Sequence, residues 1–323
     1  MSARLDTPPR NVRAPVLFHV NGTGDRLLAL PAVRALAELY PGRLRIVGPP
    51  GDGQLFYSDL PLRDFRPVLA KVEPTHALID AGLLREALGD CDLLLNFNTW
   101  YEPSVDVVLG ETEGRETIGF FQQYKRWLPL SDSRHACDQF FDLVHLMEPS
   151  LRFENFAQPP SLPPNAMALA RSFRAEVPAG VRVLAVHTET AASKEWPLER
   201  FKRVLNDFLT RHPEWLVLVV DLADRALASI PEGKRVVAAT GLAIPPAMAL
   251  VGTCDAFLGV DSCMMHAADF FQLPSVGLFG PTPEHRWGFR VTKHHRHISG
   301  AGSIEAIEEG VVAEALEELA RRL

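Results

Sequence analysis

The 323-residue chain is 47% hydrophobic and 23% charged, which is apolar enough for two globular domains of about 150 residues each and excludes general disorder. A formal charge of -7 gives no electrostatic footprint for nucleic acid or another polyanion. The first apolar run, Ala14 to Val20, is too short for a signal peptide, and no run approaches the roughly 20 residues that span a bilayer, so a cytoplasmic protein is expected. The four cysteines, Cys91, Cys137, Cys254 and Cys263, contain no C-x-x-C pair. They are read as reduced, three of them as packing residues, with neither a zinc site nor a disulfide framework.

Along the first half, strand-like runs at Pro15 to Val20, Leu44 to Gly48 and Leu93 to Phe97 alternate with helical patterns, the rhythm of a parallel sheet with crossover helices. Arg26 to Tyr40 is predicted as one helix with Leu27, Leu30, Val33, Ala37 and Tyr40 on a buried stripe and a kink at Pro31. The uncharged, proline-rich stretch from residue 156 to 165 reads as an interdomain linker, dividing a first domain, 1–155, from a second, 166–323. The second half predicts strands at Val181 to His187, Trp215 to Val220, Ala256 to Val260 and Ser275 to Phe279. Helices fall at Leu198 to Arg211, Ile244 to Gly252 and Met265 to Phe271. Ile304 to Leu323 predicts a closing amphipathic helix with Ile307, Val311, Val312, Ala315, Leu316 and Leu319 on its buried face.

Three loops where a strand meets a helix carry the candidate chemistry, because open α/β sheets bind ligands at the carboxyl ends of their strands. Asn21-Gly22-Thr23-Gly24-Asp25 combines glycines that permit close backbone approach with a carboxylate able to accept a proton; by itself it reads equally as a capped helix start. His187-Thr188-Glu189-Thr190-Ala191-Ala192-Ser193-Lys194 supplies hydroxyls, amides and a cation for a diphosphate. Gly259-Val260-Asp261-Ser262-Cys263-Met264-Met265-His266 opens a helix whose first amides favour an anion, although Asp261 or Ser262 serves equally as a cap and His266 as a core residue.

Together with Lys194-Glu195-Trp196-Pro197-Leu198-Glu199-Arg200-Phe201 and Val276-Gly277-Leu278-Phe279-Gly280-Pro281-Thr282, these segments resemble the heptosyltransferase family, glycosyltransferase family nine. The resemblance implies an α/β GT-B fold, two Rossmann-like domains facing a central cleft, and inverting transfer of a heptose from ADP-heptose to a saccharide acceptor such as lipopolysaccharide inner core. It makes Asp25 the general base. It assigns the donor to Gly24, Thr188, Glu189, Thr190, Lys194, Asp261, Ser262, Cys263, Met264, Met265 and His266, with Asp221 or Asp224 receiving the ribose. No metal and no cofactor beyond the nucleotide sugar are implied. Two positions depart from the family pattern: Cys263 replaces its usual glycine, and Glu189 stands where a hydroxyl residue is common.

The acceptor is expected on the first domain, along Phe121, Gln123, Tyr124, Lys125 and Arg126, where aromatics would stack on sugar and cations pair with acidic groups. Partners are a nucleotide-sugar donor and a saccharide acceptor, with peripheral contact at the cytoplasmic face of the inner membrane through a lipid-linked acceptor and no obligate protein partner. Thr292-Lys293-His294-His295-Arg296-His297 reads as a solvated basic turn rather than a metal tract. Two other readings stay open: transfer to a soluble natural product such as an antibiotic or nucleoside, and non-catalytic nucleotide-sugar binding.

Overall fold

Short, nearly unbroken apolar runs become fully covered central strands in both halves of the chain. The computed structural model describes residues 11–72, 77–100, 103–110, 115–223 and 235–323, and divides into two units, Met1–Ser161 and Leu162–Leu323. The first unit runs β1 (Pro15–Phe18), α1 (Thr23–Leu28), α2 (Leu30–Leu39), β2 (Arg45–Gly48), α3 (Asp52–Leu55) and β3 (Asp64–Pro67). A small antiparallel pair, β4 (Lys71–Val72) and β5 (Ala77–Leu78), follows. Then come α4 (Ala81–Leu88), β6 (Leu93–Asn96), α5 (Pro103–Gly110), β7 (Glu116–Gly119), β8 (Arg126–Trp127) and α6 (Ala136–His145). The sheet order is β3-β2-β1-β6-β7-β8, and every pairing in it is parallel. β1 is buried along its length, with Val16 opposite both Arg45 and Leu94, as expected of a strand covered on both faces. The winding reverses between β1 and β6, so the loops after these strands border the switch point where such sheets open a crevice.

The predicted helix from Arg26 to Tyr40 starts earlier, at Thr23, and is two helices that meet at Ala29. Pro31 has no N–H for the Leu27 carbonyl and its ring crowds that oxygen, so the ladder stops at Ala29, whose N–H still reaches Asp25 O at 2.9 Å. Pro31 then occupies the first turn of α2, where a missing N–H costs nothing. The stripe of Leu30, Val33 and Ala37 is buried, but so is Arg34, which donates to the carbonyls of Phe156 (3.2 Å), Gln158 and Pro159 (2.7 Å). These bonds tie the start of the proline-rich stretch to α2, and Pro164 at its far end already opens a helix, so little of it is free linker.

The second unit runs α7 (Pro164–Glu176), β9 (Arg182–His187), α8 (Leu198–Arg211), β10 (Trp215–Val219), β11 (Val236–Ala238), α9 (Ile244–Gly252) and β12 (Ala256–Val260). It continues with α10 (Cys263–Phe270), β13 (Ser275–Phe279), α11 (Glu284–Trp287), β14 (His295–Ser299) and α12 (Glu309–Arg322). Its sheet, β11-β10-β9-β12-β13-β14, is again all parallel, with the switch between β9 and β12. Gly259 pairs with His187 there; a Cβ on it would lie 2.9 Å from the His187 carbonyl, so the two strands approach closely only because the residue is glycine.

α8 buries Phe201, Val204, Leu205, Phe208 and Leu209 at helical spacing, and α12 packs into the same core through Val312, Ala315, Leu316 and Leu319. Each such apolar side chain contributes about 1.5–3 kcal/mol on burial. The terminal helix begins only at Glu309, after a 3-10 turn at Ile304–Ala306, and Val311, expected on the buried face, is 36% exposed because it sits one residue off that stripe. Among the described residues no helix is long and apolar enough to cross a membrane.

Candidate functional site

At the switch point of the first sheet the loops after β1 and β6 are cross-braced. Val20 N–H donates to Asn98 Oδ1 at 2.8 Å, and Asn98 N–H to Asn96 Oδ1 at 2.9 Å. Asn21 Nδ2 donates to Thr99 Oγ1 (3.2 Å) and the Phe97 carbonyl (3.4 Å), while Thr99 N–H donates back to Asn21 Oδ1 (3.4 Å). Asn21 is 1% exposed, so this side chain belongs to the frame of the loop and not to its surface. The cap of α1 is Gly22; Asp25 is therefore not the cap but lies within the first turn, half-buried, where a negative charge is favoured by the helix dipole. A Cβ on Gly22 would lie 3.3 Å from Asp25 Oδ2, so the glycine leaves room for that carboxylate. Behind the loop, His19 is wholly buried against Phe97 and Phe140, and burial followed by the Arg26 charge holds its pKa well below the usual value.

At the switch point of the second sheet, Lys194 ends a 3-10 turn, Ala192–Lys194, and its Nζ donates to Asp261 Oδ2 at 2.9 Å. Thr190 Oγ1 donates to the Asp261 backbone carbonyl at 2.9 Å and Thr190 N–H to Glu195 Oε1 at 3.3 Å. Asp261 is 3% exposed and its other oxygen lies 3.9 Å from His266 Nε2. Ser262 caps α10 by accepting from Met265 N–H at 3.5 Å, which leaves Asp261 as the partner of the lysine and not the cap. An ammonium has three donors, so Lys194 can take an anion without leaving Asp261, beside the positive end of the α10 dipole. Trp196 is buried and donates from Nε1 to the Ile307 carbonyl at 3.1 Å, pinning the lysine loop to the chain ahead of α12.

Several residues expected to touch the donor are instead engaged inward. Thr188 is fully buried, with its N–H and hydroxyl donating to Asp221 at 2.8 and 2.7 Å, and His187 Nδ1 lies 3.0 Å from the same carboxylate. Burial opposes the Asp221 charge, but the hydrogen bonds from His187 and Thr188 outweigh it and hold its pKa below the ordinary value. A carboxylate so occupied braces the β9 and β10 ends. Asp224 lies outside the described residues. Glu189 accepts from the N–H groups of Leu222 and Ala223, the latter at 3.1 Å, so its charge holds the chain after β10. Met265 is fully buried, its sulfur beside Gly277, and Met264 is 5% exposed, while Cys263 is half-buried. Both methionines lie in the first turn of α10 and are buried.

The expected acceptor wall is also divided. Tyr124 is buried with its ring on Gly119 and its hydroxyl accepting from Asn96 Nδ2, and Arg126 is buried 3.6 Å from Glu116. These two are parts of the sheet edge. Lys125 is exposed 3.9 Å from Glu116, Gln123 is exposed, and Phe121 joins Gln122, Gln123 and Trp127 around an open hollow. The histidine tract is a solvated turn only in part: Lys293 and His294 form an exposed bend, whereas Thr292 is buried and held by Asp269, and His295 and His297 stand on edge strand β14 with Phe289 stacked on His297 at 5.3 Å. Among the described residues no group of three or more His, Cys, Asp or Glu is placed to hold a metal ion. The buried thiols of Cys91 and Cys254 are pushed up in pKa by burial, Cys91 to about 12, which suits packing residues.

Two parallel six-stranded α/β sheets, each with braced polar loops at its switch point, are the architecture of GT-B transferases. The chain belongs to glycosyltransferase family 9 (heptosyltransferase), whose sequence model matches residues 113–310, more than half of it, and it is a glycosyltransferase of that type. No curated protein matches the sequence. Among solved structures, a family 9 glycosyl transferase from Veillonella parvula DSM 2008 aligns with a TM-score of 0.78 at 17% identity over 98% of this chain and 100% of that one. E. coli ADP-heptose lps heptosyltransferase II aligns at 0.68 and 15% identity over 96% and 99%. E. coli heptosyltransferase WaaC with ADP aligns at 0.67 and 16% over 95% and 99%. At these identities the likeness is one of fold.

Proposed function

We propose that this glycosyltransferase moves a heptose from ADP-heptose to a hydroxyl of a saccharide acceptor of the lipopolysaccharide inner-core type, with inversion and without a metal ion. Asp25 takes the proton of the attacking hydroxyl. The leaving diphosphate is stabilised by Lys194 and by the amides at the start of α10, the charge neutralisation that a divalent cation supplies in other transferases. Asp261 orients Lys194 for that task, and Phe121 and Gln123 contact the acceptor. The protein works in the cytoplasm and meets the membrane only through a lipid-linked acceptor.

The observation that carries this reading is the Lys194–Asp261 pair, which fixes a cation between the β9 and β12 loops at the dipole-positive end of α10. Family membership and the ADP held by E. coli WaaC support the nucleotide. The test is a thermal-shift panel of ADP, UDP, GDP and dTDP, followed by ADP release from ADP-heptose with an inner-core oligosaccharide. A ligand at 100 times its dissociation constant adds about 2.7 kcal/mol to stability, a readable shift. ADP alone is expected to stabilise the protein; stabilisation by UDP alone overturns the donor assignment.

A further inference from the structure

Arg26 is out of character for its surroundings. It opens the apolar run Arg26-Leu27-Leu28, is 9% exposed, and directly follows Asp25. Its guanidinium is engaged on several sides: Nη1 donates to the Asn21 carbonyl, Nη2 to Thr23 Oγ1 at 3.1 Å, and Nε lies 2.7 Å from Asp52 Oδ2, with the Phe56 ring centroid 5.9 Å away. Asp52 opens α3, where Gly51, at φ 92, turns the chain in a way only glycine adopts freely, and the aspartate is 3% exposed. The arginine thus grips the loop on both sides of Gly22, and Asn21 is bound in turn to the loop after β6.

Stability does not account for such a pair, since buried ion pairs are often replaced by apolar residues of similar volume without loss. We propose that Arg26 and Asp52 are positioning residues for Asp25: Asp52 holds the guanidinium, and the guanidinium holds the turn from Asn21 to Thr23 that leads into Asp25. This rests on Asp25 being the base. Arg26 from α1 and the buried Tyr57 phenol after α3 face Asp52, and the His19 imidazole at the end of β1 feels the Arg26 charge. Burial raises Asp52 to about 6 against the pull of Arg26. Protonation of Asp52 removes the counter-ion at Arg26 Nε and loosens the guanidinium that holds the turn.

The experiment measures ADP release from ADP-heptose with an inner-core oligosaccharide across pH 5 to 8 for wild type, Asp25→Ala, Asp52→Asn, Asp52→Glu and the double variant Arg26→Met/Asp52→Leu. Wild-type kcat is expected to fall as pH drops through about 6. Asp52→Asn should lower kcat by about 10–100-fold, the cost of a misplaced catalytic group, with donor KM within about twofold. Its profile should lose the limb near pH 6, and Asp52→Glu should restore part of both. Should Asp52→Asn fail to fold, the double variant, which buries no charge, decides the matter: it is expected to fold and to show the same kcat loss. Wild-type kcat and pH profile in the double variant or in Asp52→Asn overturn the positioning role. Turnover retained by Asp25→Ala overturns the base assignment instead, so the two failures are distinct.

Discussion

Lys194 and Asp261, separated by 67 residues in the sequence, meet at 2.9 Å across the loops after β9 and β12. The lysine side chain is 26% exposed and the carboxylate 4%, so one end of the pair is anchored and the other is open to a ligand. Lys194→Ala is expected to reduce kcat/KM for ADP-heptose by about 10²–10³-fold, as loss of one donor to a developing anion does elsewhere. Isothermal titration with ADP checks the binding part: a wild-type dissociation constant in the variant rules out contact with the diphosphate.

Asp25→Ala should lower turnover by at least about 100-fold while leaving donor affinity nearly intact, because the donor loops lie on the other unit's strands. Single-turnover kinetics with saturating ADP-heptose reads the chemical step directly. Near-normal turnover removes Asp25 as the base. In the same assay EDTA is expected to change nothing, and activity lost to EDTA and restored by a divalent ion contradicts the metal-free mechanism.

Two buried carboxylates shape acid stability with opposite signs. Asp52 is raised from 3.8 to about 6, so the folded protein keeps a proton that the unfolded chain gives up between those values. Its contribution is therefore full below pH 3.8 and falls by about 3 kcal/mol as pH rises through 6. Asp221 is shifted down, so its contribution is present above the unfolded pKa and is lost as pH falls through the folded one. Urea midpoints between pH 3 and 7 should show wild type losing ground to Asp52→Asn as pH rises, and to Asp221→Asn as pH falls. A parallel pair of curves for either variant disproves the corresponding shift.

Gly259→Ala brings a Cβ to 2.9 Å from the His187 carbonyl and 2.6 Å from the Phe257 ring. The cost is expected to be about 1–3 kcal/mol of stability, as for other overpacked cores, and a weakened ADP affinity, since the strand carrying His187 leads into the Thr188 to Lys194 loop. Chemical denaturation and ADP titration measure the two effects; an unchanged stability shows that the strands can part without cost.

Much of this architecture was legible because apolar runs such as Leu93 to Leu95 and Ala256 to Val260 have no polar residue to place outward, which marks strands buried on both faces. The loops were legible too, since Gly22, Gly24, Asp261 and Ser262 interrupt those runs at the strand ends. Within a loop, however, the sequence does not say which way a side chain faces. Thr188 and Glu189 are adjacent hydroxyl and acid residues of one motif; the first is sealed against Asp221 and the second holds the chain after β10, each by a partner more than 30 positions away. Arg126 and Tyr124 read as an open basic and aromatic wall for the same reason, whereas the fold sets Glu116 and Gly119 against them.

Local chemistry alone determined that two parallel α/β sheets form and that glycine-rich or hydroxyl-rich turns cap their strands, because hydrophobic periodicity and backbone freedom act over a few residues. The family resemblance was equally a property of the string. Only the tertiary structure decided that Lys194 belongs to Asp261, that Thr188 serves Asp221, and that a buried arginine and aspartate stand behind Asp25. Those pairings are electrostatic and fall off within a few ångströms, so they exist only once the sheet has brought distant strand ends together.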